Sequence, residues 1–388
     1  MTISSILPKD FVIKQVPITG TNLSQNEDHG IFSTLKIKGL TMQNRLAVSP
    51  MDTYSCIDGF MTNWHLVHYG QFALHGAGLI MVEATAIDPI GRVTPNCAGL
   101  WKDEHVEKMK EITEYVHSQG GKIGIQLIHS GRKGSTFPLY HPQAGENASL
   151  EFGGWENVLA PSAIAWGENH LVPIEMSVQE IERVIKCFKN AAERALKAGF
   201  DVVEIHAAHG YLVHQFLSPY SNKRTDKYGG SFENRTRFLK EIIQNVRQIW
   251  PEDKPLFVRL SCTDWLSEEI SWDLDQTLSL TKELKYLGVD LIDCSSGGTS
   301  PKQQIQGGPG YQVPFSDAVK QYNNNEIYTG AVGLIITAEQ ADQIIKGNKA
   351  DLVFIGREFL RTPNFVLKAA HQLNIKVQYP KQYERGRP

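Results

Sequence analysis

The stretch DVVEIHAAHGY, Asp201 to Tyr211, reads as a strand that ends in reactive groups. From Asp201 to Ala207 it is apolar and β-branched at most positions, without the alternation of a half-exposed strand, as a parallel sheet buried on both faces requires. It closes on His206 and His209, followed by Gly210 and Tyr211. Similar short apolar runs occur at Asn44 to Met51, Ala77 to Ala84, Lys122 to His129, Leu256 to Ser261, Leu291 to Ser295, Tyr328 to Val332 and Leu352 to Gly356, which makes eight.

Helical patterns fill the gaps between these runs. Ser177 with Glu180 forms a candidate capping box before the apolar stripe Ile181, Val184, Ile185, Phe188, Ala192 and Ala195, and Gly199 closes that helix. Thr337 with Gln340 repeats the device before Ile344 and Ile345. Eight β-then-α units in about 310 residues favour a closed (β/α)8 TIM barrel of the α/β class over an open sheet, because right-handed crossovers curl such units in one direction. The segment from Gly131 to Met176 breaks the rhythm after the third strand with Pro, Gly, Asn and aromatic residues, and is expected to be an excursion over one barrel face. The expected organisation is an extension over residues 1–35, one barrel domain over 36–373 and a tail over 374–388.

The 388 residues are 41% hydrophobic and 21% charged, enough apolar material for a sizeable core. A formal net charge of −3 offers no general attraction for nucleic acid or anionic lipid, so small molecules are the expected partners. Five scattered cysteines, with no C-x-x-C pair, point to a reducing compartment. The first fifteen residues, MTISSILPKDFVIKQ, do not read as a secretory signal, and no apolar run approaches the roughly 20 residues of a membrane span, so the expected location is cytoplasmic.

In a (β/α)8 barrel the active site forms at the C-terminal edge of the strands, and here those edges are polar. The first run ends in Ser49-Pro50-Met51-Asp52-Thr53-Tyr54, the third in Gln126 through His129, the fifth near Arg259. Gly330 to Gly333 and Gly356-Arg357 follow the seventh and eighth. Glycine turns at those two places suit a phosphate, whose oxygens backbone N–H groups can approach where no Cβ intervenes; their other reading is simple tight turning. For His206 and His209 three readings stand open: metal ligands, satisfied structural histidines, or paired donors to a carbonyl oxygen. A metal needs a third ligand, and alternation offers only Glu204 on the same side as His206. Two imidazoles at one strand end beside Tyr211 also suit an oxyanion device with its own proton donor. Fingerprints for a dinucleotide fold, a P-loop, a zinc protease or a serine-hydrolase elbow are missing from the sequence, so a bound prosthetic group is the simplest source of redox chemistry.

IHAAHGY at 205–211, continuing as FLSPYSNKRTDKYGGSFENR, together with NRLAVSPM, GLIMVEATAI, GKIGIQLIHSGRK, DLIDCSSGG and ADLVFIGREFLR, resembles the Old Yellow Enzyme family of FMN-dependent ene-reductases, closest to its thermophilic-like subgroup. The likeness runs from about Phe32 to Gly386. It implies FMN lined by Ser49, Pro50 and Met51, with Ala84 and Gln126 against the ring, Arg259 at its N1/O2 edge, and Gly333, Gly356 and Arg357 at the phosphate. It implies His206 and His209 on the substrate carbonyl, Tyr211 as proton donor, Tyr54 and Lys133 in the substrate pocket, and NADPH or NADH as hydride donor. Two alternatives are a flavin reductase for a quinone or nitro compound, and a catalytically weak FMN-binding protein.

The sequence departs from the pattern at one position beside the flavin, where the subgroup usually has cysteine and the older group threonine: here stands Asp52. An ionised Asp52 would lower the flavin potential, whereas a desolvated one would stay protonated and donate a hydrogen bond. Cys56 is not expected to replace the missing thiol. The tail Tyr383-Glu384-Arg385-Gly386 resembles the piece that, in the subgroup, carries an arginine into a neighbouring subunit's active site, which implies a homodimer or dimer-based oligomer.

Overall fold

The computed structural model describes residues 15–24 and 30–387; the opening of the chain and residues 25–29, with the part of the expected extension that falls on them, lie outside the described residues. A short hairpin, β1 (Leu35–Ile37) and β2 (Leu40–Met42), precedes the barrel. All eight apolar runs then become strands: β3 (Leu46–Val48), β4 (Leu79–Ala86), β5 (Ile123–Ile128), and, after a small pair β6 (Leu159–Ala160) and β7 (Ile174–Glu175), β8 (Val202–Ala207), β9 (Leu256–Ser261), β10 (Leu291–Ser295), β11 (Tyr328–Ala331) and β12 (Leu352–Ile355). The eight pair in parallel in chain order, and β12 returns to β3 through Val353 opposite Leu46, closing the barrel.

Ten α-helices are described: α1 (Asn63–Leu74), α2 (Val106–Ser118), α3 (Val178–Lys197), α4 (Leu212–Leu217), α5 (Phe232–Arg247), α6 (Leu274–Tyr286), α7 (Val313–Tyr322), α8 (Ala338–Lys346), α9 (Arg357–Arg361) and α10 (Phe365–Gln372). In α3 the Ser177 side chain accepts from the Glu180 backbone N–H at 3.1 Å, and Gly199 follows the helix at φ +88°. Only half of the expected capping box forms, because the Glu180 carboxylate turns to Arg183. At α8 the Thr337 cap likewise forms, while Gln340 Oε1 accepts from Ile336 N instead of closing a box. The sequence reading missed the complete box at Thr62 and His65, where an imidazole takes the part usually played by Glu or Gln.

Two-residue periodicity sorts each strand into an outer and an inner face. Outward residues meet the helices in the main core, where α3 contributes Ile181, Val184, Phe188 and Ala192, all fully buried. Inward residues stack in levels. The lowest is apolar: Met81, Val202, Phe257, Leu291 and Leu352 pack on the hairpin residues Leu35, Ile37, Leu40 and Met42, which plug the bottom. Two residues further along β5, β8, β9 and β10 stand Gln126, Glu204, Arg259 and Asp293, all buried, and above them His206, Ser261 and Ser295.

The expected excursion over 131–176 holds the β6–β7 pair and crosses the C-terminal face. The chain ends are tied to each other, since Gly20 N donates to Gln378 O and Gln378 N to Thr21 O. No helix among the described residues is long and apolar enough to cross a membrane.

Phe188→Ala should cost about 3–5 kcal/mol, because it empties a fully buried site between α3 and the barrel. Lys186→Ala, on the exposed side of the same helix, should stay within about 0.5 kcal/mol. Chemical denaturation of both variants checks the contrast.

Candidate functional site

Where β8 ends, the chain makes a turn that only particular residues can make. His209 adopts φ +59° and Gly210 φ +71°. A non-glycine residue in the left-handed region costs of order 1–3 kcal/mol, so the surroundings must hold it there. His209 N donates to Ser261 Oγ at 2.9 Å, and Lys133 Nζ donates to His209 O at 2.9 Å. The turn lies backbone to backbone on the Gly297-Gly298 turn after β10: a Cβ on Gly210 would come 2.0 Å from Gly298 O, and one on Gly298 would come 2.2 Å from the His209 carbonyl carbon. Lys133 Nζ also donates to Gly298 O, at 3.2 Å.

This turn brings the three expected catalytic residues together. The rings of His206 and His209 lie 5.0 Å apart, and Tyr211 lies 5.0 Å from His206. Burial pushes both imidazoles well below their ordinary range, helped by the Arg259 and Lys133 charges and, for His206, by His209 itself. Each is therefore neutral and carries one N–H. His206 Nδ1 accepts from Ala208 N at 3.2 Å, which places its proton on Nε2. His209 Nε2 lies 2.6 Å from Ser295 Oγ, whose other acceptor, Gln312 Oε1, is at 3.4 Å. That asymmetry favours Ser295 as donor to Nε2 and leaves the His209 proton on Nδ1. Burial, then the Asp52 charge, pushes the Tyr211 phenol up, so it stays protonated.

Opposite stand the residues that follow β3. Arg259 Nη2 donates to Ser49 Oγ at 3.0 Å, and Pro50 and Met51 continue along the rim. Asp52 Oδ1 accepts from Ala84 N at 3.1 Å. Burial and the Glu83 charge push Asp52 up to about 7, between the two states considered for it. Glu83 is itself buried in a polar knot: it accepts from Thr53 Oγ1 at 2.8 Å and Tyr69 OH at 3.0 Å, and lies 3.4 Å from His65 Nε2. Cys56 Sγ faces the same imidazole at 3.3 Å, fully buried, and does not replace the side chain at position 52. Tyr54, at φ +51°, meets the excursion through Tyr140, whose hydroxyl donates to Tyr54 O at 3.1 Å.

A cavity of about 340 Å³ runs from His209 and Arg259 past Tyr311 and Gln312 to Gly333, Gly356, Arg357 and Arg361. Its donor set suits a long anionic cofactor: two guanidinium groups and two glycine turns at one end, a buried guanidinium at the other. At Gly333, φ is +120° and a Cβ would sit 2.9 Å from Gln312 Nε2, so the turn needs glycine to leave the groove open. The expected residues Ser49, Arg259, Gly333, Gly356 and Arg357 thus line or adjoin one groove, into which FMN fits.

Two expected residues stand differently from the rest. The Lys133 ammonium group, pushed down to about 7 by burial and then by Arg132, is held by two carbonyls and lies 5.0 Å from the Tyr211 ring and 4.8 Å from that of Trp166. It braces the Tyr211 ring as much as it faces the open end of the barrel. Arg385 lies in a 3-10 turn, Lys381–Gly386, whose Tyr383 ring is 6.2 Å from that of His75, at the end of α1. His75 precedes β4, so the tail packs toward the bottom of its own barrel. Sequence reasoning missed Ser295 at the end of β10, and also Tyr311, Gln312 and Arg361, polar groups of an irregular segment and a short helix that belong to no periodic signal. Among the described residues, no group of three or more His, Cys, Asp or Glu side chains is arranged to hold a metal ion.

The sequence profile of the NADH:flavin oxidoreductase / NADH oxidase family matches residues 30–376. NADPH dehydrogenase of Bacillus subtilis (strain 168) is 47% identical over 358 residues, which are 92% of this chain and 98% of that one. The structure of morphinone reductase in complex with tetrahydroNAD matches with a TM-score of 0.72 at 28% identity, over 91% of this chain and 93% of that one. The complex of 2-naphthoyl-CoA reductase with 2-naphthoyl-CoA shares the fold at a TM-score of 0.80 and 23% identity; this chain spans 52% of that enzyme's length.

Because burial and then the Glu83 charge push Asp52 up to about 7, its effect on a bound flavin should depend on pH. Ionised, it opposes the negative charge of the reduced ring; protonated, it does not. The midpoint potentials of wild type and Asp52→Asn should converge below about pH 6, and the wild type should fall below the variant above about pH 8. Potentiometry at the two ends of that range checks this, and a constant gap would show that Asp52 does not change charge there.

Proposed function

Since this chain belongs to the NADH:flavin oxidoreductase / NADH oxidase family, the Old Yellow Enzyme family, and is therefore an NAD(P)H-dependent FMN oxidoreductase, we propose that it reduces carbon–carbon double bonds activated by an adjacent carbonyl or similar group. The observation that carries this reading is the neutral pair His206 and His209 beside a protonated Tyr211 at the open end of the barrel.

FMN, when bound, supplies hydride transfer from the nicotinamide to the β-carbon of the substrate. Ser49, Pro50, Met51, Asp52, Ala84 and Gln126 would hold its ring, Arg259 its N1/O2 edge, and Gly333, Gly356 and Arg357 its phosphate. His206 Nε2–H and His209 Nδ1–H then donate to the substrate carbonyl oxygen, where negative charge grows as the double bond is reduced. Neutral imidazoles are suited to this, since they donate without having to lose a proton. Tyr211 gives its hydroxyl proton to the α-carbon, with Lys133 holding the ring from behind and Tyr54 bounding the pocket. The nicotinamide of NADPH or NADH would use the same mouth in the other half of the cycle. Arg385 lies toward the far face of its own barrel, so its expected role requires a second copy of the chain.

Anaerobic stopped-flow absorbance tests the assignment. Wild type should bleach with NADPH or NADH and recover with cyclohexenone. Tyr211→Phe should bleach normally and slow recovery by about 10²–10⁴, and His209→Ala should slow it by about 10²–10³. Bleaching without recovery would move the reading to another acceptor, such as a quinone or nitro compound. For the tail, wild type should sediment as a dimer or larger, and deletion from Gln382 onward should weaken enone turnover; a fully active monomer would remove Arg385 from the site.

A further inference from the structure

Glu204 shares the inner face of β8 with His206, yet nothing in the proposed chemistry uses it. It belongs to a level of four buried polar side chains between the apolar floor and the catalytic rim, one from each of four neighbouring strands: Gln126, Glu204, Arg259 and Asp293. Gln126 Nε2 donates to Glu204 Oε1 at 2.8 Å, which leaves Glu204 Oε2 without a partner. Arg259 Nε stands 2.9 Å from Asp293 Oδ2, close enough for charge attraction but out of line, so both Asp293 oxygens also lack a hydrogen bond. Buried carboxylate oxygens are rarely left in this state, because each costs its desolvation without return.

Charge balance singles out the pair. Two carboxylates against one guanidinium leave the level one negative charge in excess, so one carboxylate stands uncompensated and is the group a proton joins most readily when a further negative charge arrives beside it. Burial pushes both carboxyls up, and for Glu204 the Asp293 charge adds to the effect while Arg259 opposes it. The groups facing the pair are few. On β8 itself His206 is neutral, β5 presents uncharged Gln126, and β9 presents Arg259. β11 places Gly330 beside Asp293, the inward residues Ser49 of the β3 end and Phe354 of β12 carry no charge, Met81 of β4 belongs to the floor below, and Asp52 and Lys133 stand out at the rim. Through its Nη2 contact with Ser49, Arg259 also joins this level to the wall assigned to the flavin.

We propose that Glu204 and Asp293 form a single proton store beneath the flavin, in which one O–H bond forms when the flavin is reduced and breaks when it is reoxidised. This rests on the reading that FMN lies over Ser49 and Arg259. Hydride delivered to bound FMN would bring two electrons and one proton, so the site would gain one negative charge; a proton from solvent then joins the uncompensated carboxylate and cancels the added charge. When hydride passes to the acceptor the charge leaves with it, and the stored proton returns to solvent.

The midpoint potential read against pH, from roughly pH 6 to roughly pH 10, tests this in the Asp52→Asn background, where the rim carboxyl no longer titrates. With one proton per two electrons the potential falls one tenfold step of a two-electron couple, about 30 mV, per pH unit; with the store engaged it falls two such steps. An interval of doubled slope is expected, together with a protonated-carboxyl C=O band that appears in the infrared difference spectrum on reduction and shifts in D2O. Both should vanish in Glu204→Gln, and Asp293→Asn serves in its place should that variant lose FMN. A single slope throughout with no such band would overturn the proposal, as would a doubled slope that survives in both variants. A chain that took up no flavin would sink the cofactor reading by itself. The store would then be judged by infrared titration of the apoprotein, where no carboxyl band removed by Glu204→Gln would equally overturn it.

Discussion

Arg259 stands in the barrel lumen with its Nε 2.9 Å from Asp293 Oδ2 and its Nη2 3.0 Å from Ser49 Oγ. A guanidinium so buried is costly, and its attraction to one carboxylate seldom repays the full desolvation of both. An apolar side chain there would pack on Phe257 and Leu291 below and serve stability at least as well. What an apolar residue could not supply is a positive charge at the end of the groove, or the field that adds to burial in pushing His206 and His209 below their ordinary range. The lumen thus gives up stability at one level to set protonation at the next.

The turn after β8 depends on geometry that no side chain provides. Gly210 and Gly298 let two main chains touch, and a single Cβ on either would push them apart. Because β8 and β10 are fixed in the same barrel, that contact is a rigid one. It aims His209 toward His206 and places Ser295, at the end of β10, on its Nε2. Neighbouring Asp264 secures the far side: it accepts from Thr299 Oγ1 and Ser218 Oγ, both at 2.6 Å, and lies 3.0 Å from His214 Nε2. His214 Nδ1 in turn accepts from Gly210 N at 2.9 Å. The strained backbone of His209 is held from both ends by these contacts.

What the sequence made legible was whatever has a period. Eight apolar runs gave eight strands with ends shifted by a few residues, because a two-faced buried strand has a signature that a loop lacks. Glu204 and His206 could be assigned to one face by counting. Ser295 shares a face with Asp293 by the same count, but Gln312 and Arg361 could not be found this way, since what brings them to the groove is barrel closure between residues far apart in the chain. The same holds for Lys133: its place after the third strand was plain, but its two carbonyl partners come from turns after β8 and β10. At Ser177 and Thr337 the local pattern identified the cap and overstated the box, because Glu180 and Gln340 found other partners.

The excursion after β5 shows why a long irregular segment can still be a fixed part of the site. Three donors from it converge on the loop after β10: Lys133 Nζ and Trp166 Nε1 on Gly298 O, and Arg132 Nη2 on Thr299 O at 2.8 Å. Arg132 also donates to Ile164 O at 3.1 Å, so one buried guanidinium joins both ends of the excursion to the barrel rim. The outer part carries Leu139, Tyr140, Leu150 and Phe152, all exposed and held by few such bonds. Local opening follows the density of buried contacts, so motion belongs to that outer part, while the section over His209 and Tyr211 moves only with the barrel. Opening of the outer part at Tyr140 would therefore leave Tyr211 and the two imidazoles in register beneath it.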